Sequence, residues 1–534
     1  MNFIAAVFET PLALGSAVCI PLLLFVLCLV VRIKPMNALS VSFSAGFSMA
    51  GVALLVGRFG QLLSDLAALM TDPQGATFQV VDVGRKVAVA ITSVSEIGIY
   101  IMPLAILINI AMLLTHCTRT INLDIWSFWL FAFSGAMVQS LTGNLAYGMI
   151  AAGATVVFTL VVADSTVKGV EKCCALRGVS FTNATTAAYA PIAGVVCGLV
   201  DKIPYSGRKD ISFGWLQKRI GYFGDPVLLS TVLVAIICLI NRQELIPSLQ
   251  MAIQIGACVF ITPKLMLLLG DAIKPLAQGL HELSHNKLGL HGSLTVGLSS
   301  VNGLGNPAVL LLSIAFVPFM VWLGGVLPNN IFQPSMDFTM LPYLLLLVVA
   351  ICRGGIVKSL LCCLLSMVAM FYCSLGMSGL FTLAAVATDA AAYSGMGAIS
   401  SMYAAGNPVT LLVSWIASFG IAGMGLLVLL ILALSIWNYN KLTGNVKIYV
   451  KKQRALRTQT IDDMKQENEK RRTMRANAVS QKREALRDAV EIDRLLREDG
   501  IATAPDESEQ ITIFNQDTAE LPQVSKKDEL PSDQ

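Results

Sequence analysis

Long apolar runs separated by short polar breaks dominate the chain. The first, Leu12 to Val31, is long enough to cross a bilayer at about 1.5 Å per residue. Further runs occupy 41–57, 87–116, 125–143, 145–163, 226–240, 251–269, 308–327, 339–352, 356–383 and 409–437. This pattern predicts an all-α polytopic membrane protein with about 10–12 transmembrane helices. Two shorter stretches, 179–200 and 384–406, are rich in Gly, Ala, Ser, Thr and Asn. They are too polar to face lipid and too apolar for ordinary loops. Irregular backbone at membrane depth must line a cavity or be buried in protein, so both read as re-entrant or broken helices.

A helix-starting pattern occurs three times: Gly224-Asp225-Pro226, Gly305-Asn306-Pro307 and Gly406-Asn407-Pro408. Gly permits a sharp reversal, the Asx side chain caps the first turn, and Pro suits the first helical position, where an N–H has no partner. Each copy predicts a helix start. At Asn306 and Asn407, among apolar residues, that start would lie within the membrane.

Charge divides the chain. Residues 441–534 hold 18 of the 38 Lys and Arg and 18 of the 34 Asp and Glu. We therefore expect a membrane domain over 1–440 and a charged cytoplasmic tail over 441–534, helical at 450–498 and disordered at 500–534. Only 13% of the chain is charged, which argues against a soluble enzyme, and a net charge of +4 gives no ground for a nucleic-acid partner. Arg32 and Lys34 follow the first run, which has neither a preceding basic residue nor a small-residue cleavage site. It reads as a membrane span rather than a signal peptide. Basic clusters recur at 168–177, at 202–219 and from Lys441 onward. The positive-inside rule then places the N-terminus outside, the C-terminus in the cytoplasm, and an odd number of spans between. Most of the twelve cysteines sit in apolar runs without a CxxC spacing, so buried, inert thiols are expected, with no metal and no cofactor.

Polar residues in apolar company mark the candidate chemistry. Glu96 interrupts a long apolar run, where a carboxylate should face a cavity or a partner. Gln139, Ser140 and Asn144 lie in a Gly-containing segment, and Asn183, Thr185 and Thr186 in the first re-entrant stretch. Amides and hydroxyls suit an uncharged polyhydroxylated ligand, since each ligand hydroxyl both donates and accepts. Packing contacts between helices are the other reading of such residues. His281-Glu282-Leu283-Ser284-His285 matches the H-E-x-x-H zinc motif, with His291 nearby, but it also fits the polar face of an amphipathic helix. No G-x-S-x-G, P-loop or nucleotide-binding signature accompanies it.

Several segments together resemble the membrane subunit IIC of the galactitol phosphotransferase system. They are Val80–Gly84, Leu107–Asn144, Asp201–Gly207, Gly221–Val227, Val296–Val309 and Ile351–Leu361, collinear over roughly residues 5 to 440. The resemblance, which extends in fold to the ascorbate IIC proteins, implies inverted repeats and a homodimer whose protomers have a core domain and a dimerisation domain. It implies a sugar-alcohol permease of the bacterial inner membrane, galactitol first among substrates, coupled to phosphorylation by a separate IIB subunit that is charged by IIA. Carried over residue by residue, the family's substrate positions fall on Glu96 (Gln in the family), Asn183 (His), Ser299 (Asp) and Asn306 (His). The ascorbate proteins add the regions of Val83-Gly84, Ala136–Ser140 and Asn183-Ala184. The expected substrate-binding set is thus Glu96, Gln139, Ser140, Asn183, Thr185, Ser299 and Asn306, with no catalytic residue in this chain. The alternatives are a membrane metalloprotease using His281 and His285, and an ion-coupled secondary transporter of the same fold driven by protonation of Glu96.

Overall fold

The computed structural model describes residues 16–71, 79–202, 213–286, 294–334 and 338–498. The first residues of the opening run, most of the 202–219 basic segment, His291 and the 500–534 tail lie outside them. The chain divides into two compact units, Met1–Val446 and Lys447–Gln534.

The first unit is built of two halves that each begin with two helices and carry three short strands separated by helices. One half runs α1 (Ser16–Val30), α2 (Pro35–Ala68), β1 (Val80–Asp82), α3 (Gly84–Val94), α4 (Glu96–Leu114), β2 (Thr120–Asn122), α5 (Phe128–Thr142), α6 (Leu145–Cys174), β3 (Val179–Phe181), α7 (Ala184–Ala188) and α8 (Ala190–Val200). After the connecting α9 (Phe213–Ile220), the other half runs α10 (Pro226–Ile240), α11 (Leu245–Asn286), β4 (Thr295–Leu298), α12 (Pro307–Val326), β5 (Phe332–Gln333), α13 (Met340–Ile351), α14 (Ile356–Thr388), α15 (Ala390–Tyr393), β6 (Ala398–Ser400) and α16 (Pro408–Ala417). A final helix, α17, occupies Ile421–Glu498.

Among the described residues, seven helices are long and apolar enough to cross a membrane, or up to eight if the bent pair Lys218–Gly224 and Pro226–Ile240 is one span. Four shorter apolar helices accompany them: Val18–Val30, Ala184–Val200, Met340–Ile351 and Pro408–Ala417. Outward-facing side chains are apolar, as with Val232, Ile236 and Leu239 on α10 and Ile253, Phe260 and Leu267 on α11. Such a surface suits lipid rather than water. This is an all-α, multi-pass membrane protein.

The six strands are only two to four residues long, below the length at which a period of two is visible in a sequence. They form two three-stranded parallel sheets ordered β5-β1-β6 and β2-β4-β3. The first strand of each half lies between the second and third strands of the other, so exchanging the halves leaves the pairing unchanged. Backbone released from helices at membrane depth is thereby hydrogen-bonded within the protein. Matching turns share the left-handed conformation: Arg32 and Arg242 follow the first helix of each half with φ of 65° and 59°, and Gly178 and Gly397, which adopt it without a Cβ clash, precede the third strands with φ of 70° and 72°.

All three Gly-Asx-Pro copies start helices as the sequence predicts. Asp225 caps α10 through the Val227 N–H at 2.8 Å, and Asn306 caps α12 through Ala308 and Val309. Asn407 caps α16 through Val409 and Thr410. The 87–116 run, in contrast, is not one helix. Ser95 is extended (ψ 144°) and its side chain accepts from the Gly98 N–H, so the run breaks into α3 and α4. In the second unit, residues 447–498 are helical. The side chains described there are exposed, and Arg471 pairs with Glu467 one turn away at 3.0 Å.

Candidate functional site

The turns that follow β2 and β4 come together against the first two helices. After Asn122 the backbone reverses through Leu123 and Asp124 into a single 3-10 turn, Ile125–Ser127, before α5 begins. The Asn122 side chain fixes this reversal, accepting from the Asp124 N–H at 3.0 Å and from the Thr182 hydroxyl at 2.8 Å. After β4 a second 3-10 turn, Ser300–Gly303, follows Ser299, with Asn302 donating from its amide to the Ser299 carbonyl at 3.1 Å.

Between these turns and α1–α2 lies a cavity of about 480 Å³. Its polar side is Asp124, Trp126, Ser299 and Asn302, and α1 and α2 supply an apolar wall that includes Gly46, Ala50 and Ala53. The small wall residues follow from close helix packing: a Cβ at position 46 would overlap the Pro21 ring. The volume lies within the range of small-molecule sites.

The polar side is incompletely satisfied. Asp124 is 1% exposed, and its Oδ2 accepts a short hydrogen bond from Ser127 Oγ. Its Oδ1 has no hydrogen-bond partner among the described residues, and neither do Asn302 Oδ1 and Ser300 Oγ, all buried. Burial pushes the Asp124 carboxyl up to about 6, opposed by the hydrogen bonds from Ser127. Leaving a buried polar atom unpaired costs about 1–3 kcal/mol. Both amide and carboxylate orphans are acceptors, so the arrangement is suited to a ligand that brings O–H donors.

Residues 12–395 match the family model described as the PTS system sugar-specific permease component. The chain belongs to this family. It is a IIC-type permease of the sugar phosphotransferase system (PTS). The permease is 28% identical over 399 residues to the galactitol-specific EIIC component of Escherichia coli (strain K12), covering 75% of this chain and 88% of that protein. The galactitol-specific EIIC component of Escherichia coli O157:H7 gives the same figures. Over 417 residues it is also 28% identical to a permease IIC component of Escherichia coli (strain K12) whose name carries no substrate, covering 78% and 95% respectively.

The permease brings some of the residues singled out from sequence to this cavity and places others elsewhere. Ser299 lines it. Asn183 is 3% exposed and reaches it through an intermediary: its amide donates to Ser127 Oγ at 3.4 Å, and Ser127 in turn holds Asp124. Asn183 also caps α7, its Oδ1 accepting from the Thr186 N–H at 3.0 Å. Thr185 is buried and donates to the Tyr403 carbonyl at 3.5 Å, joining the two re-entrant segments. Tyr189 strengthens that junction by donating to the Gly406 carbonyl at 2.8 Å. Asn306 is occupied as a cap, and its amide donates to the Cys173 carbonyl at 2.5 Å. Glu96 and Gln139 form a separate pair at 3.4 Å on an exposed edge, with Ser140 exposed beside them.

His281 and Glu282 lie exposed on α11, while the side chain of His285 falls outside those described. Among the described residues, no cluster of metal-capable groups includes them. Sequence reasoning missed Asp124, Ser127 and Asn302. One signal was available: between residues 90 and 163 the only acidic residues are Glu96 and Asp124. A carboxylate in so apolar a stretch needs a reason.

Proposed function

We propose that this PTS permease binds a sugar alcohol, galactitol first among candidates, in the cavity between α1–α2 and the turns after β2 and β4, and passes it to a separate IIB subunit for phosphorylation. The observation that carries this reading is that Asp124 and Asn302, which both line a cavity of about 480 Å³, each hold a buried oxygen with no partner among the described residues. A polyol presents only hydroxyls, and each can donate to one of these oxygens while accepting from another group. A carboxylate or enolate ligand would instead meet Asp124 with like charge, so the wall favours an uncharged substrate. The galactitol-specific names of two relatives support the choice among polyols. Asp124, Asn302 and Ser299 bind the substrate, and Asn183 and Ser127 position Asp124. The remaining sequence-derived residues, Glu96, Gln139, Ser140, Thr185 and Asn306, do not line this cavity.

In this reading residues 1–440 are the transport domain of a homodimer in the bacterial inner membrane, with the N-terminus outside and the 441–534 tail in the cytoplasm. Uptake of labelled galactitol and other polyols, in cells with and without IIA and IIB partners, tests it. Accumulation of phosphorylated polyol only with the partners is expected. Uptake independent of them, or of no polyol at all, would overturn it.

A further inference from the structure

Three cysteines distant in sequence converge at one point, and none of them lines the cavity described above. Cys197 lies in the last turn of α8, Cys352 caps the C-terminus of α13, and Cys362 lies in the second turn of α14. Their sulfurs are separated by 3.1 Å (Cys197–Cys352), 3.6 Å (Cys352–Cys362) and 3.7 Å (Cys197–Cys362). Among the described residues, this is the only group of three or more metal-capable side chains gathered within ligand distance.

Packed thiols can be ordinary core filling. Here the geometry is closer to a ligand set. A zinc–thiolate bond of about 2.3 Å places two tetrahedral sulfurs about 3.8 Å apart. Two of the three separations are already near that value, and the third needs to open by well under an ångström. The backbone holds Cys352 in place: Arg353 and Gly354 adopt successive left-handed conformations (φ 55° and 75°), and the Gly355 N–H donates to the Cys352 carbonyl at 3.1 Å. The triad sits at helix ends rather than mid-bundle. Cys197 is 8% exposed, and an ion pair between Lys358 and Asp201 at 2.5 Å lies one turn from Cys362 and from Cys197 respectively. The exposed Asp201 carboxylate marks the surface nearest the triad.

We propose that Cys197, Cys352 and Cys362 form a three-thiolate site for a soft, thiophilic d10 cation, with a fourth position open towards the Asp201–Lys358 edge. Soft thiolates select Cu(I), Zn(II) and their heavier congeners over hard cations. Each sulfur that ligates loses its proton to solvent, so affinity rises with pH. By the positive-inside rule the basic 202–219 segment, which begins directly after Asp201, is cytoplasmic, and that compartment keeps the thiols reduced and available.

The test uses the full chain, purified in detergent with reductant and stripped by chelator, then titrated with Cd(II) while thiolate-to-metal charge-transfer absorption is followed. Saturation at one equivalent is expected. Changing a residue that merely supports a metal's ligands already weakens binding by about 10–100-fold, so losing a ligand itself, in Cys352→Ala or Cys362→Ala, should weaken it by about 100-fold or more. Cys238→Ala and Cys373→Ala, which remove buried thiols elsewhere, should not. X-ray absorption of the wild-type protein loaded with Zn(II) supplies a second reading that no variant can spoil by misfolding: three sulfur neighbours are expected. A coordination sphere of nitrogen and oxygen, unchanged titration in the triad variants, or a native Cys197–Cys352 disulfide in protein freshly isolated from cells would overturn the proposal.

Discussion

Replacing Asp124 by Asn separates binding from folding. Asp124 lines the cavity, and its buried carboxylate holds Ser127 through one oxygen and leaves the other without a partner among the described residues. A hydrogen bond from a substrate hydroxyl to a charged acceptor contributes about 1.5–3 kcal/mol, against about 0.5–1.5 kcal/mol for the neutral amide oxygen that Asn retains, so removing the charge should weaken polyol binding by about 5- to 15-fold. The fold should not suffer, because a buried and only half-satisfied charge is itself unfavourable. Its linkage to pH has a definite sign. The folded-state value is raised from 3.8 to about 6, so the stabilisation it confers is fully present below the ordinary value and lost as pH rises through about 6. Wild-type protein should thus lose stability relative to Asp124→Asn between pH about 4 and about 6. Isothermal titration with galactitol and thermal melts in detergent across that range read both effects. Unchanged affinity would remove Asp124 from the site. A large fall in melting temperature at pH 7, with affinity falling in step, would make the residue structural.

Packing and charge lead to three further outcomes. Gly303→Ala should destabilise by about 1–3 kcal/mol, since a Cβ there would overlap the buried Phe181 ring; fluorescence-detected size exclusion after heating would show it, and a wild-type melting profile would contradict it. Asn407→Leu removes a cap that is 2% exposed and should cost about 1–2 kcal/mol, lowering expression and melting temperature more than polyol affinity. Reporter fusions at Met1 and Gln534 should report opposite sides of the membrane, and the same side for both would overturn the odd number of spans.

Legibility differed by the kind of signal. The Gly-Asx-Pro helix starts were readable because three adjacent residue types combine in one local device, and all three appear where expected. Apolar runs gave the membrane helices for the same local reason. The break at Ser95 was not readable, because one capping hydroxyl is a weak signal inside a 30-residue apolar run. Strands of two to four residues have no period to detect, and their partners come from the opposite half of the chain. Convergence explains the remaining gaps. Asp124 and Asn302 meet only because β2 and β4 are neighbours, and Cys197 and Cys352 touch across 155 residues. Glu96 and Gln139 stood out in sequence for their polarity, and the fold pairs them with each other on an exposed edge.

A buried carboxylate on the cavity wall also bears on release of the phosphorylated product. The product of a phosphotransferase permease carries a phosphate, whereas the proposed substrate is uncharged. A unit negative charge brought within about 5 Å of Asp124, at an effective dielectric constant of about 20, is repelled by about 3 kcal/mol, which disfavours the phosphorylated polyol on the order of 100-fold. Asp124 would then serve two purposes with one charge, accepting from substrate hydroxyls and rejecting the product. Asp124→Asn should weaken galactitol binding, as argued above, and at the same time narrow the discrimination against galactitol phosphate by on the order of 100-fold. Competition binding with both ligands on wild-type and variant protein measures the ratio directly. A ratio that stays the same in the variant would show that product rejection does not come from this carboxylate, even if substrate affinity falls as expected.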